Sequence, residues 1–187
     1  MNKTTGLASC VMLVFVFAGC GQETNHLQLD NKASLGGKNA FPESMVGIWE
    51  APVDQTSGNK FGIKFEADGS VLKILYFDDG PVYLGEGESS GAAESEEAYC
   101  IFTMNQCDAN YMPETGMLTV TLAMEHMFHV SLGEQEGRME DYFEGPVSED
   151  GKTWTVSWRH INWLKDAVAP EYNFSDVQLI FTKIDNN

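Results

Sequence analysis

LTVTLAMEHMFHVSL, residues 118–132, alternates between two kinds of position without a glycine or a proline. Every even position is apolar except His126, whereas the odd positions are mostly polar or small. Successive side chains of a β-strand point to opposite faces, so this period of two predicts one long strand whose even face turns inward. Trp154, Val156 and Trp158 form a second row of the same kind, which predicts another inward-facing strand.

Short apolar stretches rich in β-branched and aromatic residues recur from residue 42 onwards, separated by Gly, Asp and Asn. Asp68-Gly69 and Asp150-Gly151 are turn pairs that join antiparallel neighbours, because glycine adopts positive φ easily. Strands in this number, with few helices, predict an all-β domain. We expect a single antiparallel β-barrel of about 8 to 10 strands, with a β-sandwich as the alternative.

Two segments interrupt the predicted strands. GEGESSGAAESEEA, residues 85–98, is acidic and low in complexity, which predicts an exposed mobile loop. INWLKDAVAPEYNFSD, residues 161–176, has room for one or two helical turns before Pro170.

Gly47-Ile48-Trp49, in the first predicted strand, resembles the G-x-W signature of lipocalins and related calycin barrels. The resemblance implies a lipocalin-like barrel whose Trp49 packs at the closed end. In that family a basic residue late in the chain commonly covers the tryptophan, and Arg159 or Lys183 would serve here. The family's later T-D-Y motif has no match in this sequence.

The N-terminal residues 1–19 combine a basic start with the uncharged run LASCVMLVFVFAG, which is the pattern of a signal peptide. Ala18-Gly19-Cys20 resembles the bacterial lipobox. The resemblance implies cleavage before Cys20, a diacylglycerol on its sulfur and attachment to a membrane of the cell envelope. Gly21 is typical of export to the outer membrane, if the organism is Gram-negative. Residues 20–41, polar and without periodicity, then predict a flexible tether, and residues 42–187 the barrel domain.

The composition is strongly acidic, with a formal net charge of −17. Such a charge repels phosphates, so nucleic acid is excluded as a partner, and it favours a basic protein partner. The remaining cysteines, Cys100 and Cys107, lie six residues apart in a chain expected to be exported. Their spacing predicts a local disulfide.

MEHMFH, residues 124–129, offers sulfur and imidazole groups that suit a soft metal. On a strand, however, His126 and His129 point to opposite faces, which argues against a shared metal site. Asp141 is buried if Met139 and Phe143 face inward and exposed in the opposite phase. His160 approaches His126 if it continues the inward row of Trp158. No catalytic motif is recognisable, and we expect neither a cofactor nor a metal.

The sequence therefore favours a non-catalytic, lipid-anchored envelope protein. The first hypothesis is a binding module for a small apolar ligand held inside the barrel or at its mouth. Its expected lining comprises Met124, His126, Phe128, Trp154 and Trp158. The alternative is an interaction or inhibitor protein that uses its acidic surface. An enzyme is the third hypothesis, and it requires His126, Asp141 and His160 to converge.

Overall fold

The computed structural model describes residues 41–53, 59–95, 98–130 and 133–184 of the chain. The predicted signal peptide, Cys20 and all but the last residue of the predicted tether lie outside these residues, so they stay predictions. In the part of the chain described, no helix is long and apolar enough to cross a membrane.

A single turn of 3-10 helix, Glu43–Met45, precedes ten strands. The strands are β1 (Gly47–Pro52), β2 (Lys60–Phe65), β3 (Val71–Phe77), β4 (Gly80–Leu84), β5 (Ser89–Ser95), β6 (Ala98–Met112), β7 (Met117–Val130), β8 (Gly133–Pro146), β9 (Thr153–Leu164) and β10 (Tyr172–Ile184).

The ten strands form one antiparallel sheet in the order β4-β3-β2-β1-β10-β9-β8-β7-β6-β5. Strands that follow one another in the chain therefore pair with each other, except β4 and β5. β1 pairs with β10, which brings the ends of the sequence of strands together, and β4 and β5 are the two edges. The sheet is nearly closed into a barrel, which confirms the predicted fold class over the sandwich.

We call the gap between β4 (Gly80–Leu84) and β5 (Ser89–Ser95) the seam. It is closed at one end only. There the turn between the two strands is tied to β6, because Gly87 N donates to Met104 O (2.8 Å) and Met104 N donates to Glu88 O (2.9 Å). Away from this turn, no ladder joins β4 to β5 in the described residues.

The predicted inward row of β7 is confirmed over most of its length. Leu118, Val120, Leu122, Met124 and His126 are all buried, and Phe128 is half-buried. The second row is confirmed as well, since Trp154, Val156 and Trp158 are buried. The last two residues of the quoted stretch, 131 and 132, lie outside the described part of the chain.

One end of the barrel is filled by aromatic rings; we call it the closed end. Trp154 packs against Phe181 (5.0 Å between ring centroids) and Phe65 (6.3 Å), and Trp49 packs edge-on against Phe65 (6.4 Å). Trp49 Nε1 donates to Met45 O (2.9 Å), which fastens the 3-10 helix across this end. Trp49 is fully buried at this end.

The basic residue beside Trp49 is Lys183, its register partner on β10, which donates from Nζ to Ser44 O (2.7 Å). Arg159 does not take this place. It alternates with Trp158 on β9 and therefore lies on the outer face, where its guanidinium is 5.2 Å from the ring of Tyr142. The expectation for Arg159 was wrong because the period of two puts it on the opposite face from the inward tryptophans.

The predicted disulfide between Cys100 and Cys107 is also wrong, because the two cysteines are not bonded to each other. They lie on the same strand and pair with Phe128 and Leu122, which are six residues apart on β7. At about 3.4 Å per residue this separates them by about 20 Å, far beyond the reach of a disulfide. Spacing in sequence suggested a loop, but the segment is straight.

Both segments expected to interrupt the sheet contribute strands instead. The acidic stretch contains β5, which pairs with β6 through its backbone. A Cβ on Gly91 would lie 2.0 Å from Cys100 O, so glycine is needed there. The stretch from residue 161 to 176 continues β9 and begins β10, and no helical turn is assigned within it.

Candidate functional site

Five polar side chains from four strands, β3, β7, β8 and β9, face the interior in the half of the barrel away from the closed end, which we call the open half. We call them the polar cluster: Lys73, His126, Asp141, His160 and Asn162. Four of them are at most 5% exposed, and the side chain of His160 is 17% exposed. Buried polar groups in such number are unusual in an apolar core, so this cluster is the candidate site.

Strand register places four members of the polar cluster on one face. Asp141 lies beside His160, and Met139 beside Asn162, in the pairing of β8 with β9. His126 lies beside Gly137 in the pairing of β7 with β8. The phase that buries Asp141 is thus the one adopted, and His160 continues the inward row of Trp158, which was the condition for its approach to His126.

Asp141 connects the cluster to the aromatic core. Its Oδ1 accepts a hydrogen bond from Trp158 Nε1 (2.8 Å) and lies 2.8 Å from His160 Nδ1. Burial alone raises the pKa of this carboxyl, but attraction to His160, the hydrogen bonds and the charge of Lys73 outweigh burial and hold the pKa below its ordinary value. Asp141 is therefore an ionised carboxylate in the interior.

Lys73 faces this carboxylate from β3. Its Nζ lies 4.3 Å from the centroid of the Phe61 ring, a cation–π contact. Burial lowers its pKa, and the attraction of Asp141 acts in the opposite direction. Sequence reasoning missed Lys73, although a lysine inside the apolar run VLKILYF was a signal. It missed Asn162 too, which continues the row of Trp158 and His160.

Within the described residues, His126 and Asn162 each bury a polar atom without a hydrogen-bond partner, Nδ1 of the imidazole and Oδ1 of the amide, and His129 Nδ1 is a third such atom. The imidazole covers Gly137, where an added Cβ would lie 2.6 Å from the ring and 2.4 Å from Trp163 O. Burial, and secondly repulsion from His160, lower the pKa of His126, so it is neutral at neutral pH.

The five residues predicted to line a ligand site do not stay together. Trp154 belongs to the closed end and is fully buried. Trp158 packs on Phe61 (4.7 Å) and touches the polar cluster through Asp141. Met124, His126 and Phe128 face the open half, where Phe128 meets Phe102 edge-on (5.7 Å). The open half therefore keeps four of the five, and Trp154 is a core residue.

The neighbouring thiol is not activated for chemistry. Cys107 Sγ lies 3.9 Å from Leu84 O, and burial raises the pKa of the thiol to about 11, so it stays protonated at neutral pH. Among the described residues, no group of three or more His, Cys, Asp or Glu side chains is arranged to hold a metal ion. What the cluster offers is hydrogen bonds and charge inside an apolar barrel.

A concavity of about 420 Å³ lies near the ends of β6 to β9, mostly on the outer face of the sheet, and His126 and Gly137 also line it. We call it the outer hollow. It has apolar contributions from Ile101, Met127 and Trp163 and acidic ones from Glu125 and Glu136. His129, on this outer face, stacks on Tyr99 (5.1 Å between centroids). His126 and His129 thus lie on opposite faces, as predicted.

Comparison with known proteins gave no match. No family model, no curated protein and no solved structure matched this chain.

Proposed function

We propose that this protein is a lipid-anchored, non-catalytic lipoprotein of the cell envelope. In this proposal its barrel binds a small, mainly apolar ligand in the open half. The observation that carries the proposal is the contrast between the two halves of the interior. The closed end is sealed by fully buried rings, whereas the open half combines half-buried apolar side chains with buried polar groups that lack partners.

The seam supports the same proposal. β4 and β5 are the only two strands of the described sheet with one free edge, and Leu75, Phe77, Val82 and Ala92 beside them are partly buried against the core. Separation of two edges breaks no backbone ladder, so the interior can admit a ligand here without loss of strand pairing.

The binding proposal is tested by titration with a fluorescent fatty-acid analogue, followed by probe emission and by quenching of tryptophan. We expect saturable binding. Phe128→Ala removes apolar surface from the open half and weakens binding by about tenfold. Ile180→Ala, at a residue that is 56% exposed, is the matched control and leaves the affinity unchanged. If no apolar probe saturates the wild-type protein, the binding proposal is wrong.

The lipoprotein proposal is tested by cell fractionation and mass spectrometry. We expect the mature chain to start at a diacylglyceryl-modified Cys20 and to sediment with membranes, and Cys20→Ala to lose this attachment. Cys10→Ala is the matched control, because Cys10 belongs to the segment that is removed. An intact Met1 together with an unmodified Cys20 would contradict the proposal.

The outer hollow favours a second candidate function, the docking of a basic protein partner. Glu125 and Glu136 accompany its apolar side chains, and the whole chain carries a net charge of −17. Capture of such a partner is expected to weaken as salt is added, and more so in Glu125→Lys than in the control Glu114→Lys, which changes an exposed turn residue. A pull-down that stays empty at low salt would count against this candidate.

A further inference from the structure

We propose that the ligand's polar end is an uncharged hydroxyl group, bound between His126 and Asn162 on the inner face of β7 to β9. This inference rests on the proposed binding function and specifies the ligand class: a neutral amphiphile such as a fatty alcohol or a monoacylglycerol. The observation behind it is the pair of unpartnered buried atoms, His126 Nδ1 and Asn162 Oδ1. The two residues are 3% and 4% exposed.

Both atoms belong to one region of the inner face. His126 on β7 and Asn162 on β9 flank β8, and Asn162 lies two residues along β9 from the position directly across from His126, so their backbones are about 12 Å apart. The strand between them contributes Gly137 at the position beside His126, and the imidazole lies over that glycine. The side chain of His126 therefore extends toward β9, across the space that a larger residue would fill.

The hydrogen bond that Asn162 already makes determines which ligand group it can bind. Its Nδ2 donates to a carboxylate oxygen, Glu171 Oε2 (3.4 Å). A carboxylate only accepts, so the amide nitrogen faces Glu171 and the amide oxygen faces the interior. That oxygen can only accept a hydrogen bond. A ligand carboxylate or an ester, which bring no donor, cannot satisfy it, whereas a hydroxyl can.

The charge states of the neighbouring residues also favour a hydroxyl group. His126 is neutral, because burial and His160 lower its pKa. Asp141 already accepts from Trp158 and lies 2.8 Å from His160. A neutral imidazole accepts or donates at Nδ1 according to its tautomer, and a hydroxyl can match either. When His126 carries its proton on Nδ1, one hydroxyl satisfies both unpartnered atoms, because it accepts from Nδ1 and donates to Asn162 Oδ1, and Asp141 keeps the partners it has.

Apolar side chains surround this position and suit the ligand's chain. Met124 and Met139 pair with each other between β7 and β8, in the row next to His126. Phe102 is the register partner of His126 on β6, and Phe128 follows it on β7. Thioether and aromatic groups adapt to alkyl chains, so the polar end lies on the polar cluster and the chain lies along these residues.

The experiment compares three ligands of equal chain length, a primary alcohol, the carboxylate and its methyl ester, as competitors of the fluorescent fatty-acid analogue. We expect the alcohol to bind about three to ten times more tightly than either of the others, the contribution of one satisfied buried hydrogen bond. Asn162→Leu removes this preference and leaves binding of the ester unchanged. Asn110→Leu, at an exposed position of β6, is the matched control and keeps the preference.

The outcomes separate the inference from the function on which it rests. If none of the three competes, both are overturned. If the carboxylate binds as tightly as the alcohol or better, the ligand class is wrong and the binding function stands. If the alcohol is preferred but Asn162→Leu preserves that preference, Asn162 holds only a water molecule and the inference is overturned. The comparison of ligands on the wild-type protein does not depend on how well any variant folds.

Discussion

The carboxylate of Asp141 interacts with other titratable groups of the interior, His160 and Lys73. It is 3% exposed, accepts from Trp158 and pairs with His160, while Lys73 faces it from β3. Buried charges are stable in a protein only when they are paired and hydrogen-bonded. The arrangement therefore depends on all partners at once.

Asp141→Asn is expected to lower the free energy of unfolding by about 2 to 3 kcal/mol, because it leaves Lys73 without the carboxylate that it faces in the interior. Urea denaturation followed by tryptophan emission measures the change. Asp166→Asn is the matched control, because Asp166 is exposed and has a φ of 65°, which asparagine adopts equally well. Equal effects of the two substitutions would contradict the assignment of Asp141.

Two groups of the polar cluster predict how stability depends on pH. The pKa of His126 is lowered from 6.5 in the folded state, so the unfolded chain binds a proton first, and stability falls as pH drops below about 6.5. The pKa of Asp141 is lowered from 3.8, so its contribution is present above that pH and is lost as pH falls through it. Urea midpoints measured across pH should decline in both windows, and His126→Gln should remove the upper decline alone. A variant that keeps the upper decline would show that another group causes it.

At the scale of the elements, the backbones of β8 and β9 come very close to each other at Gly145. A Cβ added to Gly145 would lie 1.8 Å from Thr155 O on β9, and backbone cannot move aside easily. Gly145→Ala is therefore expected to cost about 1 to 3 kcal/mol in urea denaturation. Gly85→Ala is the control, since a Cβ there meets the end of the Leu72 side chain at 3.2 Å. Similar losses in both variants would contradict this explanation.

The elements also show what sequence could and could not predict. The alternation along β7 identified its inward face, because a period of two is a local property of the chain. The cysteine pair was misjudged because its spacing suggested a loop where the chain runs as a strand, and Arg159 was misjudged although the period of two already placed it opposite the inward tryptophans. β6 carries a register shift between Met104 and Gln106, and no local pattern marks it.

The candidate site was predictable only in part, for the same reason. The sequence named His126, Asp141 and His160 and the condition for their meeting, but not whether that condition held. Asp141 had two possible phases, and only the pairing of β8 with β9 selects the inward one. Lys73 enters the cluster from β3, across the barrel, and such a contact leaves no trace in the spacing of residues.

At the scale of the molecule, the seam leaves β4 and β5 paired on one side only, whereas the other strands of the described sheet are paired on both sides. Amides on the edges of β4 and β5 are expected to exchange with deuterium faster than those of β7, which lies between two long ladders. Hydrogen–deuterium exchange resolved by peptide measures the difference, with the unfolded protein as the reference. Equal protection of β5 and β7 would contradict an open seam.

The pairing of β1 with β10 has a consequence for how the chain reaches this shape. Ile48 lies opposite Ile184, so the contact that curves the sheet into a barrel joins residues from distant parts of the chain. Contacts between residues so far apart in sequence form late and slowly, because the entropy of closing a long loop is lost before the contacts contribute any free energy. On the ribosome the chain therefore remains without its final closure until Tyr172–Ile184 has emerged. Under the lipoprotein proposal, the barrel is therefore still unclosed while the chain passes through a translocation channel.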